Sequence, residues 1–374
     1  MSDIVLPLPQ LYIDELKATP QNPMFHAEGN VYNHTVMVLE QFLTHADKFG
    51  LDEAEKEVMY WACVLHDIGK PEVTRKVNGR WSSRGHERAG LHIARNILLQ
   101  HPEISAHQRK RIMDLVKWHQ IPLRWGLKGE GLSTYQWLAT WTDIRLLAIF
   151  FYFDIHGRIC VDKEKVCGLA NDLIHNIVPK IESSIGTFEE IQQGYNNSCY
   201  SKKDALWNTL CNKEYRLLEK ILKIDMKEVQ PPNGECVITI GPPKAGKTAY
   251  VQQHFPEHKY LKMEDFGVNL DQTPEEPLDV VTVKYALSFH MNRQNKLVLD
   301  GTNLLATNRE KIATFFRESG YAVRYCIFEP SLDAMFQANL TSPNPHTEAQ
   351  LKEAFELLDF PHPWEAHHLE IIAA

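Results

Sequence analysis

The stretch VLHDIGKPE, residues 64–72 of a 374-residue chain, places an imidazole beside a carboxylate where a helix is expected to end. Gly69 and Pro71 are helix-stopping residues, so His66 and Asp67 lie in the last turn of the preceding helix. A rigid last turn fixes the directions of both side chains. Because the chain has 18 histidines, a His-Asp pair arises by chance about once, and it needs partners elsewhere to indicate a site.

Other titratable residues of the first half also fall at predicted helix ends. Apolar residues at helical spacing predict helices over 33–49, over 53–66, after a cap at Ser82 or Ser83, up to His119, and over 134–154. Together with His66 and Asp67, these ends carry His34, His86, His119 and Asp154. Neutral imidazoles and carboxylates suit a transition metal, and one carboxylate can bridge two ions. The sequence therefore predicts an all-α bundle whose helix ends converge on one cavity.

Composition restricts the class of protein. A length of 374 residues suits two domains, and 44% hydrophobic with 24% charged residues is typical of soluble globular proteins. The apolar run LLAIFFYF, residues 146–153, is far shorter than the roughly 20 residues that a membrane span needs. The N-terminal segment lacks the charge pattern of a signal peptide. We therefore expect a cytoplasmic protein that does not contact a membrane.

Cysteine spacing and net charge restrict the partners. The 7 cysteines are scattered and never spaced as CxxC, which argues against a disulfide framework and against a thiolate zinc site. The formal net charge of -8 excludes a global positive field that attracts nucleic acid. Any nucleic-acid contact is therefore expected to be local, as at strand ends.

The second half of the chain changes character after Pro231 and Pro232. Short apolar strands at 236–240, 297–300 and 322–328 alternate with helical segments, and this alternation predicts a parallel sheet. We therefore expect a multidomain protein. Its predicted parts are an all-α domain over residues 1–190, a connector with an amphipathic helix over 191–231, and an α/β domain over 232–374.

The stretch VITIGPPKAGKTAY, residues 237–250, contains the pattern GxxxxGK[ST] between a predicted strand and a predicted helix. In this context the backbone N–H groups of the loop and of the helix N-terminus cradle phosphates. Lys247 reaches the β- and γ-phosphates, and Thr248 holds Mg²⁺. The pattern thus predicts a P-loop for ATP or GTP with Mg²⁺, built from Gly241, Pro242, Pro243, Lys244, Ala245, Gly246, Lys247 and Thr248.

The first half resembles the HD phosphohydrolase family over roughly residues 24–180. The H…HD…D motif of that family falls on His34, His66, Asp67 and Asp154, and the extra histidines of its two-metal members fall on His86 and His119. Lys70, in HDIGK, and Arg158, in DIHGR, match as cations that could hold a phosphate. The resemblance implies one or two divalent transition-metal ions (Mn, Fe, Co, Ni or Zn) and metal-assisted phosphoester hydrolysis.

The competing interpretation is that these histidines are ordinary residues of the core or surface. A single histidine usually is, but six matching positions with two cations favour a site. The remaining histidines of this region match nothing in the family and are expected to be ordinary polar residues: His26, His45, His92, His101, His107 and His156.

The second half resembles polynucleotide kinases of the phage type over about residues 235–374. The stretch KLVLDGTNLLATNR, residues 296–309, matches their D-x-T-N strand end and places Asp300 near the P-loop. The family has an acidic stretch after the P-loop that supplies the general base for the 5′-hydroxyl. Here that stretch is MEDFG, so the resemblance implies Asp265 or Glu264 as base, with Gly267 where the family has an arginine.

The predicted lid departs from this family. The stretch FQANLTSPNP, residues 336–345, has Gln337 and Thr341 where the family's lid has arginines. An arginine that acts on the transferring phosphoryl group is worth about 10³–10⁵ in rate. Three cations could replace it: Arg309, Lys244 or Lys262. Otherwise the domain transfers phosphate slowly or only binds nucleotide.

An HD region followed by such a kinase resembles the HD–polynucleotide kinase family of bacterial RNA end-healing enzymes. The resemblance implies removal of 2′,3′-cyclic, 3′ or 2′ phosphates, phosphorylation of 5′-hydroxyls, strand ends of RNA or DNA as substrates, and a partner RNA ligase. Two alternatives remain open: an HD hydrolase of free nucleotides with a nucleotide-sensing P-loop module, and an HD scaffold around a P-loop kinase for a small metabolite.

Overall fold

The computed structural model describes residues 4–266 and 280–372, which form two compact units, Met1–Ile191 and Gln192–Ala374. The first unit is helical and the second is α/β with a parallel sheet, so the predicted fold class is confirmed. Gly267 lies outside the described residues, and so does the side chain of Glu264. Within these ranges, no helix is both long enough and apolar enough to cross a membrane.

Helices make up most of the first unit. Their bounds are α1 Gln10–Ala18, α2 Val31–His45, α3 Glu53–Leu65, α4 Lys70–Val73, α5 His86–Leu98, α6 Ala106–Trp118, α7 Ile121–Lys128, α8 Leu132–Trp141, α9 Ile144–His156, α10 Lys163–Asp172 and α11 Val178–Ile185, with α12 Phe188–Asn196 at the boundary between the units. A turn of π-helix, Leu173–Ile177, joins α10 to α11. Helix α9 lies at the centre, and its Phe150, Phe151 and Phe153 are fully buried.

A small hairpin corrects the prediction that the first half is purely helical. Strand β1, Arg75–Val77, pairs antiparallel with β2, Arg80–Ser82. The two turn residues between them are Asn78 with φ 50° and Gly79 with φ 77°. Asn-Gly is the dipeptide that best tolerates two positive φ values in a two-residue turn, so this short sequence closes a hairpin.

Two predicted helix boundaries are also wrong. The long helix expected over 134–154 is interrupted between α8 and α9, because the Asp143 side chain accepts a hydrogen bond from the Leu146 N–H (3.0 Å) and caps α9. Helix α5 begins at His86 after Gly85, whose φ is 89°, and not at a cap formed by Ser82 or Ser83.

Two glycines allow helices of the first unit to approach closely. A Cβ on Gly69 would lie 2.3 Å from the backbone nitrogen of Gly90 and 2.4 Å from the carbonyl oxygen of His86. A Cβ on Gly157 would lie 2.7 Å from the backbone of Val38 in α2. The first approach brings the end of α3 against α5, and the second brings the end of α9 against α2.

The second unit is a sheet with helices on it. Among its described residues, five parallel strands lie in the order β4-β5-β3-β6-β7, with bounds β3 Gly234–Ile240, β4 Lys259–Lys262, β5 Lys296–Asp300, β6 Tyr321–Phe328 and β7 His368–Ile372. The three strands expected from the sequence fall inside β3, β5 and β6. The helices are α13 Tyr200–Cys211, α14 Tyr215–Lys223, α15 Lys247–His254, α16 Val280–Met291, α17 Ala306–Glu318, α18 Leu332–Leu340 and α19 Glu348–Glu356.

Residues 192–231, where a connector was expected, are part of the second unit. The Tyr195 hydroxyl donates to the carbonyl oxygen of Ala366 at 2.7 Å. Asp204 of α13 lies 2.6 Å from the Arg317 guanidinium and 2.9 Å from His367. Polar bonds therefore join this segment to α17 and to the chain before β7.

We predict that Gly69→Ala destabilises the protein by about 1–3 kcal/mol, the usual cost of forcing an extra methyl into a packed site. The measurement is chemical unfolding of the variant and of wild type. Gly168→Ala is the control, because Gly168 lies in α10 with no atom within 4 Å of an added Cβ. Equal stability of the two variants would contradict the close approach of Gly69 to Gly90.

Candidate metal centre and phosphate-binding loop

Four histidines of the first unit lie at helix ends and direct the same ring nitrogen inward. His66 follows α3, His119 follows α6, His86 begins α5, and His34 lies in the first turn of α2. In three of them Nδ1 faces a backbone carbonyl oxygen: Cys63 for His66 (3.0 Å), Ser83 for His86 (2.8 Å) and Val116 for His119 (2.8 Å). A carbonyl oxygen can only accept a hydrogen bond, so Nδ1 carries the proton of each ring and Nε2 presents a lone pair.

Asp67 lies between two pairs of these histidines. Its Oδ2 is 3.2 Å from Nε2 of His66 and 3.7 Å from Nε2 of His34. Its Oδ1 is 3.2 Å from Nε2 of His86 and 3.7 Å from Nε2 of His119. Two groups that could each hold a metal ion therefore share one carboxylate. Asp154, in the last turn of α9, adds Oδ1 at 3.0 Å from Nε2 of His34.

The inward atoms suit a cation. Among the described residues, Oδ1 of Asp67, Nε2 of His34 and of His66, and Oδ1 of Asp154 are buried and make no hydrogen bond. Nε2 of His86 lies 3.1 Å from Nε2 of His119, so two lone pairs face each other. Buried groups of this kind are costly unless they bind a partner, and nitrogen with carboxylate oxygen is a donor set for divalent transition metals.

The surroundings hold Asp67 and His119 in the protonation states that bind metals, whereas at His34 burial lowers the pKa but Asp154 and Glu28 outweigh it and raise that pKa. Burial raises the pKa of Asp67, but Lys70 and His66 outweigh it and hold that pKa well below its usual range. Burial and the neighbouring His86 hold the pKa of His119 well below its usual range. The carboxylate is thus ionised and the imidazole neutral, which are the forms that coordinate metals.

The two predicted phosphate-binding cations lie beside the two carboxylates. Lys70 Nζ is 2.6 Å from Asp67 Oδ2, and an Arg158 amino group is 2.6 Å from Asp154 Oδ2. Both cations line a cavity of about 340 Å³ together with His86. An anion that enters this cavity therefore meets two positive charges next to the metal-type groups.

The loop between β3 and α15 has the geometry expected of a phosphate cradle. Gly241, Lys244 and Gly246 have positive φ values of 150°, 66° and 81°. Lys247 Nζ donates to the carbonyl oxygens of Gly241 (2.9 Å) and Pro242 (2.7 Å). The loop borders a cavity of about 340 Å³.

Asp300 joins this loop from the neighbouring strand. It ends β5, which lies beside β3 in the sheet, so the carboxyl ends of both strands meet at one edge. The Thr248 hydroxyl donates to Asp300 Oδ2 at 2.6 Å, and the Thr239 hydroxyl donates to Oδ1 at 2.9 Å. Tyr260, which the sequence did not single out, also donates its hydroxyl proton to Asp300.

The structure separates the proposed replacement cations. Lys244 and Lys262 line the loop cavity, and Lys244 Nζ also contacts Ser342 Oγ (2.5 Å) and the carbonyl oxygen of Asn344 (2.9 Å). Arg309 is fully buried, with its Nε 3.0 Å from Glu365 Oε2 and its Nη1 2.6 Å from the carbonyl oxygen of Leu304. The structure thus does not bring Arg309 to the loop.

Of the two predicted bases, the structure describes the side chain of Asp265 alone. Asp265 is exposed in a short 3-10 helix, Met263–Phe266, and is not among the residues that line the cavity. The side chain of Glu264 lies outside the described part of the chain. The assignment of either one as base stays a prediction.

Comparison with known proteins concerns the first unit. Residues 31–145 match the HD domain family. The first unit contains an HD domain. A-adding tRNA nucleotidyltransferase of Deinococcus radiodurans is 32% identical over 120 residues, which are 32% of this chain and 25% of that protein. The chain thus matches only about a quarter of that relative's length. Asp154 and Arg158 follow residues 31–145 in the chain, and the fold brings Asp154 Oδ1 to 3.0 Å from His34 Nε2.

The first unit also contains functional candidates, just before the HD domain, that the sequence did not reveal. Glu28 Oε1 is 3.1 Å from His34 Nδ1 and 2.8 Å from His26 Nδ1, and Oε2 accepts from the Ile159 N–H at 3.0 Å. Burial lowers the pKa of His26 to about 3. Gln21 accepts a hydrogen bond from Lys70 Nζ at 2.6 Å. These three residues lie in the loop before α2, where no periodic pattern singles them out. The only local signal is that Glu28 follows His26 by two positions, a spacing at which a carboxylate can reach an imidazole.

We predict that Asp67→Ala loses most bound transition metal, because its carboxylate faces both histidine pairs. The measurement is metal content of the purified protein by elemental analysis. Asp47→Ala is the control, because it removes the same carboxylate from a side chain that is 96% exposed. Unchanged metal content in Asp67→Ala would refute the centre.

We predict that Glu28→Ala weakens metal binding about 10- to 100-fold, because it removes the acceptor that orients His34. Competition with a coloured chelator measures the affinity. Glu103→Ala is the matched control, because Glu103 makes the same bond to a histidine, His101 Nδ1 at 2.9 Å, at an exposed site. An equal affinity in both variants would mean that His34 does not need this orientation.

Proposed function

We propose that the chain is a bifunctional enzyme of nucleic-acid strand ends. The HD domain removes 2′,3′-cyclic, 3′ or 2′ terminal phosphates, and the P-loop unit phosphorylates 5′-hydroxyl ends with ATP or GTP and Mg²⁺. The observation that carries the first activity is the Asp67 carboxylate, which faces two histidine pairs and lies beside Lys70, a residue that lines a cavity of about 340 Å³.

In the proposed hydrolysis, one set of residues of the first unit binds metal and another binds the phosphate. His34, His66, Asp67 and Asp154 would hold one ion, and Asp67 with His86 and His119 a second. Bound ions of this kind would lower the pKa of a water ligand to about 7 and would neutralise phosphate oxygens. Lys70 and Arg158 orient the phosphate and stabilise the charge that develops on its oxygens.

The P-loop unit supplies positioning for phosphoryl transfer. The loop N–H groups and Lys247 bind the nucleotide phosphates, and the pair formed by Thr248 and Asp300 matches the Ser/Thr and Asp that hold Mg²⁺ in P-loop enzymes. Asp265 or Glu264 accepts the proton of the 5′-hydroxyl. Lys244 or Lys262 takes the place of the missing lid arginine.

Two observations and one chemical argument support this proposal. The first two points concern strand ends as substrates, and the last concerns the cytoplasm as the compartment. The relative named above acts, by its name, on tRNA. A strand break with a cyclic phosphate and a 5′-hydroxyl needs both corrections before an RNA ligase can seal it. All seven cysteines are free, as expected in a reducing compartment.

A second candidate function rests on the cations of the loop cavity. Those described there are the lysines Lys244, Lys247 and Lys262, with no arginine among the lining residues. In phosphoryl-transfer enzymes, the planar guanidinium of an arginine usually stabilises the phosphoryl group that is transferred. The alternative is therefore an HD hydrolase of free nucleotides with a C-terminal module that senses nucleotide.

One substrate with both ends labelled tests the proposal. We predict that a 5′-hydroxyl, 2′,3′-cyclic-phosphate oligoribonucleotide is healed at both ends by wild type with ATP and divalent metal. Asp67→Ala or His119→Ala should lose only phosphate removal. Lys247→Ala should lose only 5′ phosphorylation, because each site draws its residues from one unit.

The remaining outcomes distinguish the alternatives. Nucleotide binding with no phosphorylation of any 5′-hydroxyl would support the sensing module. Loss of both activities in a folded Lys247→Ala protein would refute independence and indicate a phosphohydrolase gated by nucleotide. Circular dichroism and thermal unfolding, measured in parallel with wild type, show whether the Lys247→Ala variant is folded.

A further inference from the structure

The hairpin next to the HD site is strongly basic, although the whole chain is acidic. Residues 75–85 contain Arg75, Lys76, Arg80 and Arg84 and no acidic residue, whereas the formal net charge of the chain is -8. All four basic side chains are exposed. Within the described residues, none of them makes an ion pair, so their charges are not neutralised by the protein's own carboxylates.

The hairpin is continuous with the candidate metal centre. Trp81 and Arg84 line the same cavity as Lys70, His86 and Arg158. The chain after β2 is tied to the site, because the carbonyl oxygen of Ser83 faces His86 Nδ1 at 2.8 Å. The two ends of the hairpin are joined by a hydrogen bond of 2.7 Å between the hydroxyls of Thr74 and Ser83.

Two aromatic side chains, Trp81 and Phe25, lie near these basic residues. Trp81 is only partly buried, and Lys76 Nζ lies 5.0 Å from the centroid of its ring. Phe25 also lines the cavity and is 48% exposed. Positive charges that follow a backbone, combined with aromatic faces on which bases stack, are the features that bind single-stranded nucleic acid.

We propose that the β1–β2 hairpin, together with Arg84, binds the single-stranded segment that leads into the HD cavity. Trp81 stacks on a base next to the terminal phosphate, and Arg75, Lys76 and Arg80 contact phosphates of the preceding nucleotides. This inference rests on the proposed function of the HD domain and adds the surface that selects its substrate. A free nucleotide fills the cavity but cannot reach the outer cations, so a strand is bound more tightly than a mononucleotide.

Binding and hydrolysis are measured separately to test this surface. The probe is a fluorescein-labelled single-stranded oligoribonucleotide of ten residues, whose binding is followed by fluorescence anisotropy at several salt concentrations. The triple variant Arg75→Ala, Lys76→Ala, Arg80→Ala should bind at least 10-fold more weakly. Its salt dependence should fall by about 2 in slope, because each phosphate contact on a single strand contributes about 0.7.

A matched control removes the same number of charges elsewhere in the unit. Lys48→Ala, Lys165→Ala, Lys180→Ala replaces three exposed lysines outside the hairpin, and its affinity should remain within 2-fold of wild type. Trp81→Ala should weaken binding, and Trp81→Phe should restore most of it, since a phenyl ring still stacks. Equal affinities for the two triple variants would overturn the proposal.

Hydrolysis of two substrates separates this inference from the proposed function. For wild type, KM should be lower for an oligoribonucleotide 2′,3′-cyclic phosphate than for the mononucleotide, and the hairpin variant should lose this difference while its mononucleotide kcat/KM stays within about 2-fold. Oligonucleotide binding that depends on the hairpin, without any hydrolysis, would refute only the proposed function. Mononucleotide hydrolysis without oligonucleotide binding by wild type would refute the hairpin surface.

Discussion

The first unit depends on one buried carboxylate. Asp67 is 1% exposed, and each of its oxygens faces a different pair of imidazoles while Lys70 approaches to 2.6 Å. An isolated ion at this depth costs several kcal/mol or more, so the surrounding cations and donors are a condition of the fold as well as of the chemistry. The ends of five helices meet at this point, and they bring His34, His66, His86, His119 and Asp154 to the carboxylate.

Close helix approach is what makes that convergence possible. Gly69 and Gly157 lack the Cβ atoms that would strike the backbones of Gly90 and Val38. The first contact brings Asp67 within reach of His86, and the second brings Asp154 within reach of His34. Because these two positions lack a Cβ atom, side chains that are far apart in the chain can meet at the candidate site.

Charge is distributed locally in this protein. A net charge of -8 would repel a nucleic-acid strand, but the hairpin concentrates unpaired positive charge at the mouth of one cavity. The cavity at loop 241–248 likewise gathers three lysines near Thr248 and Asp300. Both candidate sites thus concentrate positive charge, whose attraction for anions acts within the roughly 8 Å Debye length of physiological salt.

The sequence by itself determined the order of a helical unit and an α/β unit, the positions of His66 and Asp67 at a helix end, and the strand-loop-helix around Lys247, because local periodicity and glycine spacing specify them. Only the tertiary structure decided that Glu28 orients His34, that residues 192–231 pack with the sheet, and that Arg309 pairs with Glu365 in the core, away from the loop. The Asn78-Gly79 hairpin was readable from two residues and was missed among helical patterns. The others could not be read, because pairing between side chains far apart in sequence leaves no local period and is set by how the packed elements meet.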